Sequence, residues 1–113
     1  MNEISFIRGT TLNLTLAIND SDGNVYTLGA DEKVNFGVKR STLDEDYSVF
    51  IQLSKTDQAS DGSFSVRIGA DTTEKLDVGA YVYDVAVQTS ADYYNVIPPS
   101  LFEVLSNVTQ MEA

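Results

Sequence analysis

The sequence contains no cysteine and no histidine, and each absence removes a class of chemistry. Without cysteine there are no disulfides, thiolate zinc sites or cysteine nucleophiles, so the fold must hold by burial and hydrogen bonding alone. Without histidine the commonest general base and the commonest metal ligand are missing, which weighs against catalysis. Tryptophan is absent too, and proline occurs only as the adjacent pair Pro98-Pro99. Positive charge is scarce: 7 basic residues stand against 17 acidic ones, a formal net charge of -10. A field of that sign repels phosphate backbones, so nucleic acid is not an expected partner.

No stretch is apolar for long enough to cross a membrane, and the opening MNEISFIRG lacks the basic-then-apolar pattern of a secretory leader. The expectation is a chain made and kept soluble in the cytoplasm, with no membrane partner. No linker, repeat or low-complexity run divides the 113 residues, which read as a single domain over 1–113, long enough to bury one core.

What the sequence does carry is alternation with a period of two. In TLNLTLAI, Leu12, Leu14, Leu16 and Ile18 fall on one side of an extended chain, with Thr11, Asn13, Thr15 and Ala17 on the other. The same rhythm puts Val34, Phe36 and Val38 inward in KVNFGVK, and Phe64, Val66 and Ile68 inward in SFSVRI. In YVYDVAV the phase is set by Asp84: a buried, unpaired carboxylate is costly, so Tyr81, Tyr83, Val85 and Val87 face in and Val82, Asp84, Ala86 and Gln88 face out. Weaker strands are expected at 4–7, 49–53, 93–97 and 101–105. Pro98-Pro99 cannot donate to a ladder, so the last strand starts after the pair or bulges there, at a sheet edge.

Turn signals separate these runs. Asp22-Gly23 and Asp61-Gly62 are hairpin-type pairs, because glycine accepts positive φ without steric cost. One short helical turn is expected near residues 71–76, with Asp71 capping its first amides and Glu74 pointing back. Sheets with one apolar face each must pack together, giving an all-β fold: an immunoglobulin-like antiparallel β-sandwich of about seven or eight strands. In it, Leu76, Gly79 and Tyr81 form a corner before an inner strand, the Tyr81 hydroxyl tied to nearby backbone, unless Tyr81 is ordinary core.

Candidate chemistry is thin. NDSDGN invites a calcium reading, but with Gly23 at the turn position of a helix-loop-helix calcium loop the first ligand slot holds Ile18 and the last Gly29. Asp44, Glu45 and Asp46 are neighbours on an extended chain and point apart. Paired acids for a hydrolase can lie far apart in sequence, and nothing selects a pair among Asp20, Asp22, Asp84 and Glu103. No catalytic residue, no metal ligand and no cofactor is therefore assigned. What remains is adhesion. With Phe102 and Val104 inward, Leu101 and Leu105 lie outward, as do Val82 and Ala86, and these four are the candidate protein-protein interface. The alternative is a carbohydrate- or calcium-binding module presented by the acidic turns and by Tyr47, Tyr93 and Tyr94, at least one of the last two facing outward.

The order of landmarks, FIRGTTLNLTLAINDSDGNVYTL, VNFGVK, DGSFSVRI, TTEKLDVGAYVYDVAV and SLFEVLSNVT, resembles the N-terminal immunoglobulin-like domain of phage baseplate upper proteins and related small prophage tail or virion proteins. The likeness runs over nearly the whole chain. It is carried by Arg8-Gly9 before the first long strand, by Asp22-Gly23, and by Leu76, Gly79, Tyr81, Tyr83 and Asp84. The resemblance implies a non-enzymatic virion protein, made in a host bacterial cytoplasm, that docks on copies of itself or on other virion components. Baseplate upper proteins continue into a helical, receptor-directed part where this sequence reaches TQMEA, so the implied role is that of an adaptor, decoration or accessory protein.

Overall fold

The computed structural model describes residues 3–20 and 22–106. Seven strands account for about half of them: β1 (Ile4–Ile7), β2 (Leu12–Leu16), β3 (Lys33–Lys39), β4 (Val49–Ser54), β5 (Phe64–Ile68), β6 (Gly79–Gln88) and β7 (Tyr93–Leu105). A 3-10 turn over Lys55–Asp57 follows β4, and a single helical turn, α1 (Ala70–Thr73), precedes β6. Strands β1-β7-β6-β3-β4 form one sheet, and β2 pairs with β5 in the other. With β2 beside β5, and β3, β6 and β7 adjacent, this is an immunoglobulin-like β-sandwich.

Each expected stripe points as the alternation requires. Phe64, Val66 and Ile68 of β5 are buried, as are Val34, Phe36 and Val38 of β3 and Tyr81, Tyr83, Val85 and Val87 of β6. At the centre sits Phe102, fully buried. Its ring meets Phe6 edge-on at 5.1 Å and Tyr81 and Tyr83 at 6.2 Å each, so β1, β6 and β7 share one aromatic cluster. Edge-to-face pairs of this kind add to plain area burial.

Three expectations need correction. The sandwich is not wholly antiparallel: β1 runs parallel to β7, Ile4 beside Phe102 and Ile7 beside Leu105. The chain runs up that edge and then crosses to the other sheet as β2, so no hairpin imposes antiparallel pairing there. The two weak strands at 93–97 and 101–105 are one, β7, which bulges at Pro98-Pro99: Tyr83 faces Ser100 and Val85 faces Ile97. β1 pairs only with residues 102–105 of β7, which leaves the prolines on an open edge where no donor is demanded of them. The helical turn begins at Ala70, with Gly69 at its N-cap and Glu74 at its C-cap. Tertiary contact sets that start: fully buried Thr73 donates to the Thr10 carbonyl at 2.8 Å, pinning the turn to the β1–β2 connection.

The corner is present. The Tyr81 hydroxyl donates to the Asp77 carbonyl at 2.9 Å while its ring is buried. Gly79 sits at φ +139, a conformation that disfavours side chains, and Leu76 is buried beside it. Arg8, one of the landmark residues, donates from Nε to the Leu76 carbonyl at 2.9 Å, and Arg40 stacks 4.4 Å above the Tyr81 ring. Both hairpin glycines adopt positive φ, 83 at Gly23 and 90 at Gly62.

Residues 25–32 form no strand, yet they close one end of the core by inserting fully buried Leu28. Their backbone is satisfied by side chains instead of a ladder. Gln58 accepts from the Leu28 amide at 3.0 Å and donates to the Tyr26 and Gly62 carbonyls at 2.9 Å each. Glu32 accepts from the Gly29 amide and from the Tyr26 hydroxyl, and these two donors hold its carboxyl below the usual range.

Truncating these two anchors should therefore cost unequal amounts. Tyr81→Phe removes one hydrogen bond and lowers unfolding free energy by about 1 kcal/mol, whereas Gln58→Leu strands three backbone groups and costs about 3 kcal/mol or more. Urea unfolding followed by tyrosine fluorescence measures both, and equal losses would contradict the role given to Gln58.

Candidate functional site

The five-stranded sheet packs one face on the core and turns the other outward, and the candidate residues sort themselves along that outer face. Val82 of β6 lies opposite Leu101 of β7, and Leu105 lies beside Ile7 of β1. Leu101, Leu105 and Ile7 are 38%, 41% and 48% exposed, and Val82 is half-buried. Between the two leucines stands Glu103, which accepts a 3.4 Å hydrogen bond from Ser5. Three strands thus contribute to one apolar row carrying a single charge.

Ala86 does not belong to that row. It is on the outward phase, as expected, but it is fully buried. It sits between Asn35 of β3 and Asn95 of β7 in the register. Asn35 in turn accepts from Gln52 at 2.9 Å and donates to Gln88 at 3.2 Å, so amide side chains from β4, β3 and β6 join across this part of the face. A methyl group is too short to reach past such neighbours.

Next to the amide chain, the outer face opens into a groove of about 160 Å³. Tyr47, Tyr83, Tyr93, Val82 and Pro99 line it together with Gly37, Lys39, Thr42 and Asp84. Local chemistry explains each position. Tyr47 lies flat across Gly37, where a methyl group would come within 2.5 Å of its ring. Glycine in the middle of a β-branched strand marks such a close approach. The Tyr47 ring also packs on Phe50 at 4.7 Å and carries the Lys39 ammonium 4.7 Å from its centre. Lys39 is fixed by a 2.8 Å bond to the Asp44 carbonyl. Asp84 falls in the bulge, between the Tyr83–Ser100 and Val85–Ile97 pairs, where the facing residues are prolines without N–H groups. Burial pushes its carboxyl above the usual range, and the Lys39 charge pulls it partly back.

Of the three tyrosines singled out in the sequence, the groove brings together Tyr47 and Tyr93 and leaves out Tyr94. Tyr93 and Tyr94 are both more than half exposed, because β7 has no partner strand on its far side here. The phenol of Tyr94 is pushed up by the negative charge of Asp92. The sequence did not assign Gly37, Lys39 or Pro99 to a site. Pro99 was legible as a bulge and Gly37 left a signal in the break it makes in VNFGVK, whereas Lys39 left none.

The acidic residues do not converge. Asp20 spends Oδ1 on the amides of Asp22 and Asn24, closing its own turn. Among the described residues there is no group of three or more acidic side chains placed to hold a metal ion. Two carboxylates flanking a bond would be needed for glycoside hydrolysis, and the groove offers only Asp84. No helix among the described residues is long and apolar enough to cross a membrane. No protein-family model matches the chain, and no curated protein matches its sequence.

Asp84 gives this site a pH signature. Its folded-state pKa is raised, so the folded chain holds the proton more tightly than the unfolded one, and the group's contribution to stability is lost as pH rises through the raised value. Asp84→Asn keeps the shape and removes the titration. The variant should gain stability relative to the parent between about pH 4 and 7, by less than about 1 kcal/mol because the carboxyl is partly solvated. Thermal unfolding of both proteins at the two pH values checks this; a constant difference would contradict it.

Proposed function

We propose that this chain is a non-enzymatic assembly protein of a phage or prophage virion, a tail or baseplate adaptor or accessory that works by docking onto protein. The observation that supports it is the outer row of Ile7, Leu105, Leu101 and Val82 on three adjacent strands. Single exposed apolar residues are ordinary, whereas two apolar cross-strand pairs on one sheet face, separated by the single Ser5–Glu103–Ala80 rung, are what protein-binding surfaces present. The absence of cysteine and histidine, together with one carboxylate in the groove, fits a protein that binds without transforming its partner. The virion setting comes from the resemblance to the N-terminal domain of baseplate upper proteins.

A second copy is the first partner to test. Pairing this face with itself about a two-fold axis would bury both rows, and the lone charge Glu103 is already engaged by Ser5. Opposing this, two chains of net charge -10 repel, so association should strengthen with salt. Light scattering behind a sizing column should give at least twice the 12.3 kDa mass of one chain at micromolar concentration in physiological salt. Leu101→Lys combined with Leu105→Lys should return it to the monomer without loss of thermal stability, since both side chains are partly exposed. A parent protein that is monomeric throughout, or an oligomer indifferent to these substitutions, would count against self-docking through this face.

A further inference from the structure

The groove beside that row has a chemistry the docking surface does not use. Its lining includes the tyrosines Tyr47 and Tyr93, one carboxylate, Asp84, one ammonium, Lys39, and the Thr42 hydroxyl. These features select among ligand classes by elimination. A cation is disfavoured because Lys39 already lies against the Tyr47 ring and its charge acts on Asp84. An anion meets the Asp84 carboxylate and a chain of net charge -10. A wholly apolar ligand would strip water from Asp84 and Lys39 without replacing its hydrogen bonds. What fits is a neutral molecule with an apolar face to lay on a tyrosine ring and hydroxyl groups that both donate and accept.

We infer that the groove between Tyr47 and Tyr93 binds one neutral sugar ring. The C–H face of the ring lies against Tyr93, one hydroxyl donates to Asp84, and another accepts from Lys39. The groove, about 160 Å³, matches the size of a single ring, so longer glycans would enter by one unit. Much of the site is set before binding. Tyr47 is held by Gly37, Phe50 and Lys39, Lys39 by the Asp44 carbonyl, and Pro99 has a fixed φ. Preorganisation lowers the ordering cost that otherwise consumes the affinity of small ligands. One ring with few hydrogen bonds should bind in the millimolar range. The inference stands apart from the docking proposal, because the groove is formed within one chain.

The test is a set of amide chemical-shift titrations on the isotope-labelled full chain with the methyl glycosides of glucose, galactose, mannose and N-acetylglucosamine. At least one should give saturable shifts centred on Gly37, Lys39 and Asp84. Tyr93→Ala should weaken that binding at least tenfold, and Tyr94→Ala, an equally exposed tyrosine outside the groove, should leave it unchanged. Tyr93 is more than half exposed, so its variant should fold, and thermal unfolding confirms that. Only linear, dispersed shifts with all four sugars would overturn the inference. So would saturable binding centred elsewhere, or binding that survives Tyr93→Ala intact. The mass measured by light scattering reports on docking independently of either result.

Discussion

The two-stranded sheet has too few hydrogen bonds to stand in water by itself, so its attachment to the five-stranded sheet rests on the apolar side chains between them. Leu12, Leu14 and Leu16 of β2 and Phe64, Val66 and Ile68 of β5 supply one side of that contact. Phe36, Tyr83, Val85 and Phe102 supply the other. Two strands are also narrower than five. The uncovered ends of the larger sheet are closed by single side chains from connecting segments, Leu28 at one end and Leu76 at the other. A buried connecting segment needs partners for its backbone, which is why Gln58 reaches three groups around residues 26–62 and Arg8 reaches the Leu76 carbonyl. The polar anchors thus follow from the mismatch in sheet size.

The same mismatch shapes the outer face. With β6 and β3 in the interior of the larger sheet, their outward residues are crowded by neighbours on both sides, and short ones vanish beneath them, as Ala86 does. Larger outward residues near the β1–β7 edge stay accessible. Where the Pro98-Pro99 bulge interrupts the ladder, Asp84 faces prolines in place of a paired residue and is partly buried, which raises its carboxyl. The apolar pairs and the groove thus both adjoin β7, the first where it pairs with β1 and the second where it bulges.

Strand positions and facing were readable from the sequence because burial on one face writes a period of two directly into residue order. Leu16, Val34, Phe36, Phe64 and Phe102 each sit where alternation puts them. The tyrosine corner was readable for a related reason: Leu76, Gly79 and Tyr81 lie within a few residues, and the bond they make is local. The parallel β1–β7 pair and the anchoring by Gln58 were not readable. Both join residues far apart in the chain, and nothing in the local pattern of ISFI or KTDQ says what will lie beside it.

The groove was the hardest feature to foresee, for a physical reason that separates it from the core. A core residue is specified by its own polarity, repeated many times along each strand. Lys39, Asp84 and Tyr93 meet through the cross-strand register of β3, β6 and β7, Tyr47 is laid on Gly37 from the β3–β4 connection, and the β6–β7 part of that register is displaced at the bulge by residues that have no N–H to pair. A shift of one residue there would turn Tyr93 to the other face of β7 and out of the groove, while Asp84 and Lys39 would keep their places through the regular β3–β6 pairing. Such a site depends on the length of the irregular segment more than on its composition. Pro98-Pro99, the least strand-like pair in the sequence, thus sets where Tyr93 meets the groups that β3 and β6 place.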